Sequence, residues 1–145
     1  MKIALFISIL FYFSCSSSLY EQLNKSGESK ILIKDIIENV SSEQRSAMEW
    51  LINHMPETDL ANLSSDYLIT NSEYAFKAKN RFVWAKDVPD EIFLNYVLPY
   101  ASLNERRDEW RKDFFYKFSP IVKNAKSGYE AAAILNNKIF EMVGV

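Results

Sequence analysis

The chain has 145 residues, with 17 lysines and arginines against 19 acids, a formal net charge of −2, one cysteine and one histidine. A nearly balanced, slightly acidic composition supplies no cation cluster to displace the counterions of a polyanion, so DNA and RNA are excluded as expected partners. Three glycines and four prolines are too few for a turn-rich β-sandwich, and the length suits one core, so the expected class is all-α, an irregular multi-helix domain.

The chain opens with Lys2, then an apolar run from Ile3 to Phe13 broken only by Ser8, then Ser14-Cys15-Ser16-Ser17-Ser18. That order of charge, apolar stretch and small residues is a signal peptide over residues 1–18. The run falls short of the roughly 20 apolar residues that cross a bilayer, so it is read as cleaved and not spanning. Cys15 stands where a bacterial lipoprotein signal is modified, behind the small Ser14, although Tyr12 and Phe13 depart from the aliphatic and small residues preferred there. Lipidation at Cys15 and ordinary cleavage after Ser16 or Ser18 are both open. Modification would anchor the mature chain at the outer membrane without a transmembrane helix. In either case the expectation is export to the periplasm or cell envelope, with membrane contact only through the signal or the lipid.

Residues 19–29, polar and containing Ser26-Gly27, are expected to form a flexible tether, and residues 30–145 the helical domain. Ile31, Ile33, Ile36, Ile37 and Val40 approximate a helical face, with a strand as the alternative near Ile31. Ser41 with Gln44 is a capping-box signature, and Ala47, Met48, Leu51, Ile52 and Met55 follow at helical spacing until Pro56. Ser64 or Ser65 starts the next helix, with Tyr67, Leu68, Tyr74, Ala75 and Ala78 on one stripe. Periodicity fails between Asn80 and Asp87, which predicts a packed connection holding Phe82, Val83 and Trp84.

Pro89 suits a first helical position. Ile92, Phe93, Tyr96 and Val97 should form a short face ending before Pro99. A long helix is expected from about Glu105, buried along Trp110, Phe114, Phe118 and Ile121 or Val122, with Pro120 kinking or breaking it. Ser127 with Glu130 caps the last helix, whose face is Ala131, Leu135, Ile139 and Met142. The chain is still apolar at Val143-Gly144-Val145, which is unusual for a terminus and suggests a chain cut where more protein follows.

Glu91-Ile92-Phe93-Leu94-Asn95-Tyr96-Val97-Leu98-Pro99-Tyr100, then Asn104-Glu105 and Asp108-Glu109-Trp110-Arg111, resembles the N-terminal region of large bacterial transglutaminase-like proteins. Met48-Glu49-Trp50-Leu51-Ile52-Asn53-His54-Met55-Pro56 with Asp59-Leu60, and Leu63 to Leu68, are similar to the segments that precede it there. The resemblance covers Ser41 to the C-terminus. It implies that this helical region leads into a papain-like core, in which a cysteine attacks an acyl carbonyl, a histidine is its base and an acid orients the histidine. Residues 127–145 resemble the first helix of that core. None of the catalytic roles falls on a position of this chain.

The residues point the same way by themselves. A thiol acyl transferase needs a thiolate beside a base, and the mature chain has no cysteine once Cys15 is cleaved away or lipidated. No catalytic residue, metal site or cofactor is therefore expected. His54 sits alone at a helix end, where the helix dipole accounts for it and zinc would lack its other ligands. Asp87, Asp90 and Glu91 around Pro89 could pair for glycoside hydrolysis but are also the acids a helix start favours. The run from Glu105 to Asp113 reads as a solvated face of ion pairs, with a docking surface as the sharper alternative. Among the aromatics, mostly at core spacing, Trp84 and Tyr100 lie at element ends and, with Trp110, are the candidate binding residues.

The expected function is an exported accessory domain that supports or positions a transglutaminase-like core supplied downstream or by a separate gene. The alternative is a stand-alone envelope module binding peptide or glycan.

Overall fold

The computed structural model describes residues 27–102 and 105–144, with side chains from residue 31 onward. The expected signal segment, Cys15 and the first part of the expected tether lie outside the described residues. Every regular element among those described is helical, so the fold is all-α. In chain order these are α1 (Gly27–Asn39), α2 (Ser42–His54), α3 (Glu57–Asn62), α4 (Ser65–Arg81), α5 (Val83–Lys86), α6 (Asp90–Ile92) running into a π turn (Phe93–Val97), α7 (Trp110–Val122) and α8 (Gly128–Val143).

Helix α1 begins at Gly27, inside the stretch expected to be tether. Ile33, Ile36 and Val40 are buried at helical spacing while Ile31 faces solvent, which settles helix over strand. In α2 the buried residues are Ala47, Met48, Leu51 and Ile52, as the spacing predicts, and His54 is its last residue before Pro56. The capping box at Ser41 does not form: its side chain makes no cap hydrogen bond, and Gln44 N donates to the Ser41 carbonyl instead, at 3.0 Å. Ser64 does cap α4, its hydroxyl accepting from Tyr67 N at 3.2 Å.

Helix α4 is the centre of the molecule. It packs against α1, α2, α5 and α7 and buries Tyr67, Leu68, Asn71, Ser72, Tyr74 and Ala75. One core gathers α1 to α4 with Phe93, Leu98 and Tyr100. A smaller one joins Phe82 and Ala85 to Val122 and Ala131, seating α8 against α7 and the α4–α5 corner.

Three stretches differ from the sequence expectation. The connection after Asn80 contains one helical turn, α5, and Val83 on it is exposed. In the π turn, Leu98 N bonds the Phe93 carbonyl at 2.8 Å, five residues back. The wider turn places Phe93 and Leu98 on the buried side and turns Ile92 and Tyr96 outward, although ordinary helical phasing grouped Tyr96 with Phe93. The long helix starts at Trp110 and not near Glu105, because Arg107 is drawn to Asp59 and Arg106 to Asp108 in an irregular segment. Pro120 lies inside α7, which continues to Val122.

Candidate functional site

The phase of α7 creates the site. Its buried residues are Arg111, Ser119 and Val122; of the expected stripe Val122 is buried as read, Trp110 and Phe118 are half-buried like Phe115, and Phe114 is exposed, so the buried centre lies about one residue round. A shift of one residue is about 100° of helix rotation, so the expected core stripe becomes a wall beside the core. Trp110 and Phe114 meet edge to face at 5.6 Å, and Phe114 and Phe118 at 5.2 Å.

That aromatic ladder faces an open groove of about 670 Å³. Tyr74, Ala75 and Ala78 of α4 contribute to it, with Phe82 and Trp84 at the corner, Tyr96, Val97, Pro99, Ala101 and Ser102 along one side, and Leu135 from α8. Trp84 stacks on Phe82 at 5.1 Å with nearly parallel rings. Its indole Nε1 is buried and finds no acceptor among the described residues.

Arg111 is the buried charged group of the groove lining, with Glu105 and Arg106 exposed at the rim. It is buried, sits 4.8 Å over the Trp110 ring, and donates from its two terminal nitrogens to the carbonyls of Val97 and Pro99. The Val97 carbonyl ends the π turn, where a cation is favoured by the helix dipole, and Pro99 follows just beyond it. No carboxylate pairs with Arg111 among the described residues, and its Nε has no partner. Burial without a counter-charge pushes its guanidinium down to about 10.

Tyr100, expected at an exposed position, is buried behind the groove. Its hydroxyl donates to Asp59 Oδ2 at 2.7 Å, and Arg107 Nη2 reaches the same oxygen at 2.8 Å. Burial and its bond to the Asp59 carboxylate raise the Tyr100 phenol. Burial would also raise Asp59, but hydrogen bonds from Tyr100 and Arg107 outweigh it and hold the carboxyl below its ordinary value. The Tyr100 carbonyl in turn accepts from Trp110 Nε1 at 3.1 Å. A clasp between α3 and the segment before α7 thus fixes the first rung of the ladder.

Of the candidate binding residues, Trp84 and Trp110 come together on the groove, and Tyr100 supports Trp110 from behind. Tyr96, Phe114, Phe118 and Arg111 also line it. The spacing of Phe114 and Phe118 was legible, but it marked them as core, and nothing in the sequence distinguishes two adjacent stripes of one amphipathic helix.

The other candidates resolve into local structure. His54 stacks on Trp50 at 4.1 Å and its Nδ1 lies 2.7 Å from the Trp50 carbonyl, away from the groove. Asp90 pairs with Lys79 at 2.9 Å. Among the described residues no three histidine, cysteine, aspartate or glutamate side chains are placed to hold a metal ion, and no helix is long and apolar enough to cross a membrane. Among the described residues the groove lining holds neither histidine nor cysteine and is mostly aromatic and aliphatic.

Beyond the groove, α8 carries a second apolar feature. Ser127 caps it, accepting from Glu130 N at 3.1 Å, while the Glu130 carboxylate reaches back to Lys126 N. Ala131 is buried and Leu135 half-buried on the expected face. Further along that face the packing stops: Ile139, Phe140, Met142 and Val143 are 43 to 65% exposed. Comparison of the chain with family models, with curated proteins and with solved structures found no match.

Proposed function

We propose that this chain is an exported helical accessory domain that docks, through the free apolar face of α8, onto a transglutaminase-like core performing thiol acyl transfer or peptide hydrolysis. The observation that carries the proposal is the last two turns of α8, where Ile139, Phe140, Met142 and Val143 stand exposed on a helix whose first half is packed. Contiguous apolar side chains of this kind mark a surface that another protein covers. The resemblance of residues 127–145 to the first helix of a papain-like core gives that partner its class. Export rests on the residues of the N-terminal segment.

The test is the nucleotide sequence beyond the codon of Val145 and in the flanking genes. The proposal expects a cysteine on a helix-forming segment, followed by a histidine and an acid. A flanking region encoding no such core contradicts it.

A second reading, a module that holds peptide or glycan in the envelope, is favoured by the aromatic groove, which is separate from the exposed end of α8. The two readings are compatible, since a docked domain could present the groove beside its partner.

A further inference from the structure

The chemistry of the groove narrows what it can hold. Eight of its lining residues are aromatic, and the fully buried side-chain polar atoms of its lining left without a partner, Trp84 Nε1 and Arg111 Nε, are both N–H donors. Its acids and bases at the rim are engaged: Glu105 accepts from Ser102 N at 2.6 Å, and Arg106 pairs with Asp108 at 2.7 Å. Arg111 has no carboxylate among the described residues. A glycan hydroxyl can accept as well as donate but stays neutral, whereas a carboxylate brings acceptors alone together with the charge that Arg111 lacks. A buried guanidinium lacking its counter-ion beside an apolar cavity is complementary to an apolar segment carrying negative charge.

We infer that the groove binds a peptide segment in which aromatic or large aliphatic side chains alternate with acidic ones, the apolar side chains lying on Trp110, Phe114 and Phe118 and a carboxylate pairing with Arg111. The inference rests on the binding-module reading above and adds to it the class of ligand. The cavity, about 670 Å³, has the size of a site for a few side chains and not for a whole helix. The lowered guanidinium of Arg111 agrees with a site that gains from an arriving anion.

The probes are two fluorescein-labelled, acetylated and amidated peptides, Phe-Asp-Phe-Glu-Leu and its uncharged isostere Phe-Asn-Phe-Gln-Leu, titrated against the full chain by anisotropy. The acidic peptide is expected to saturate, to bind about tenfold or more tightly than the amide, and to weaken with salt while the amide does not. Arg111→Met should abolish the difference between the two. Because Arg111 also holds the carbonyls of Val97 and Pro99, the salt series on the unmodified chain gives the same answer if that variant does not fold. Phe114→Ala, at the half-exposed rim, should weaken both peptides alike.

Equal affinity for the two peptides would overturn carboxylate recognition while leaving the groove a binding site. Absence of saturation by either peptide and by a chitin oligosaccharide up to about 1 mM would remove the binding-module reading as well. Saturation by a chitin oligosaccharide with no response to the peptides would assign the groove to glycan and overturn the inference.

Discussion

Tyr100 carries two jobs with two different atoms. Its hydroxyl, with Arg107, keeps the Asp59 carboxylate satisfied inside the fold, and its carbonyl orients Trp110. Tyr100→Phe removes one charge-assisted hydrogen bond and is expected to cost about 1.5–3 kcal/mol, read by urea denaturation at neutral pH. The pH dependence follows from the direction of the Asp59 shift. A carboxyl held below its ordinary 3.8 stabilises the fold at pH values well above that, and the contribution is lost as pH falls through the lower folded value. The stability gap between the unmodified chain and Asp59→Asn should therefore be full near neutrality and close in acid below pH 3.8; a gap independent of pH would show that the charge of Asp59 is not what the clasp uses. None of this was legible beforehand. Tyr100 reads as an element end, and Asp59 and Arg107 lie 48 positions apart. Pairing at that separation is decided by packing and not by spacing.

At the scale of elements, the same kind of sequence signal gave different outcomes, and the difference is measurable. Ser41 and Ser64 both precede helices, yet only Ser64 places its hydroxyl on a backbone amide. Ser64→Ala should cost about 1 kcal/mol and Ser41→Ala close to nothing; equal losses would mean that the cap geometry is not the cause. Pro120 sits inside α7 at an exposed position, where it removes a backbone donor. Pro120→Ala is expected to stabilise the chain, by up to about 3 kcal/mol, in the same denaturation assay. Helix existence was well read for α2, α4 and α8, where apolar residues recur at three and four over several turns. It was poorly read where local rules are overridden: in the π turn, whose wider pitch frees Tyr96, and before Trp110, where ion pairs displace helix. The phase of α7 was misjudged in part: Val122 is buried as expected, but the neighbouring elements bury Arg111 and Ser119, whereas the aromatic spacing pointed to Trp110, Phe114 and Phe118.

At the scale of the whole molecule, the chain is a packed helical unit with two apolar features that the core does not consume. The groove lies between α4, the π turn and α7. The second feature is the far end of α8. Substitution of a half-exposed side chain there should leave the fold intact: Phe140→Asp is expected to change stability by less than about 1 kcal/mol, since that ring is already half in water. Its effect belongs to association. The most direct test of the account is calorimetric titration of the full chain, unmodified and as Phe140→Asp, with the transglutaminase-like core proposed as its partner. The account predicts saturable binding by the unmodified chain and loss of at least about tenfold in affinity for Phe140→Asp, with both chains equally folded. Equal binding by the two, or no binding by either, would contradict docking through α8.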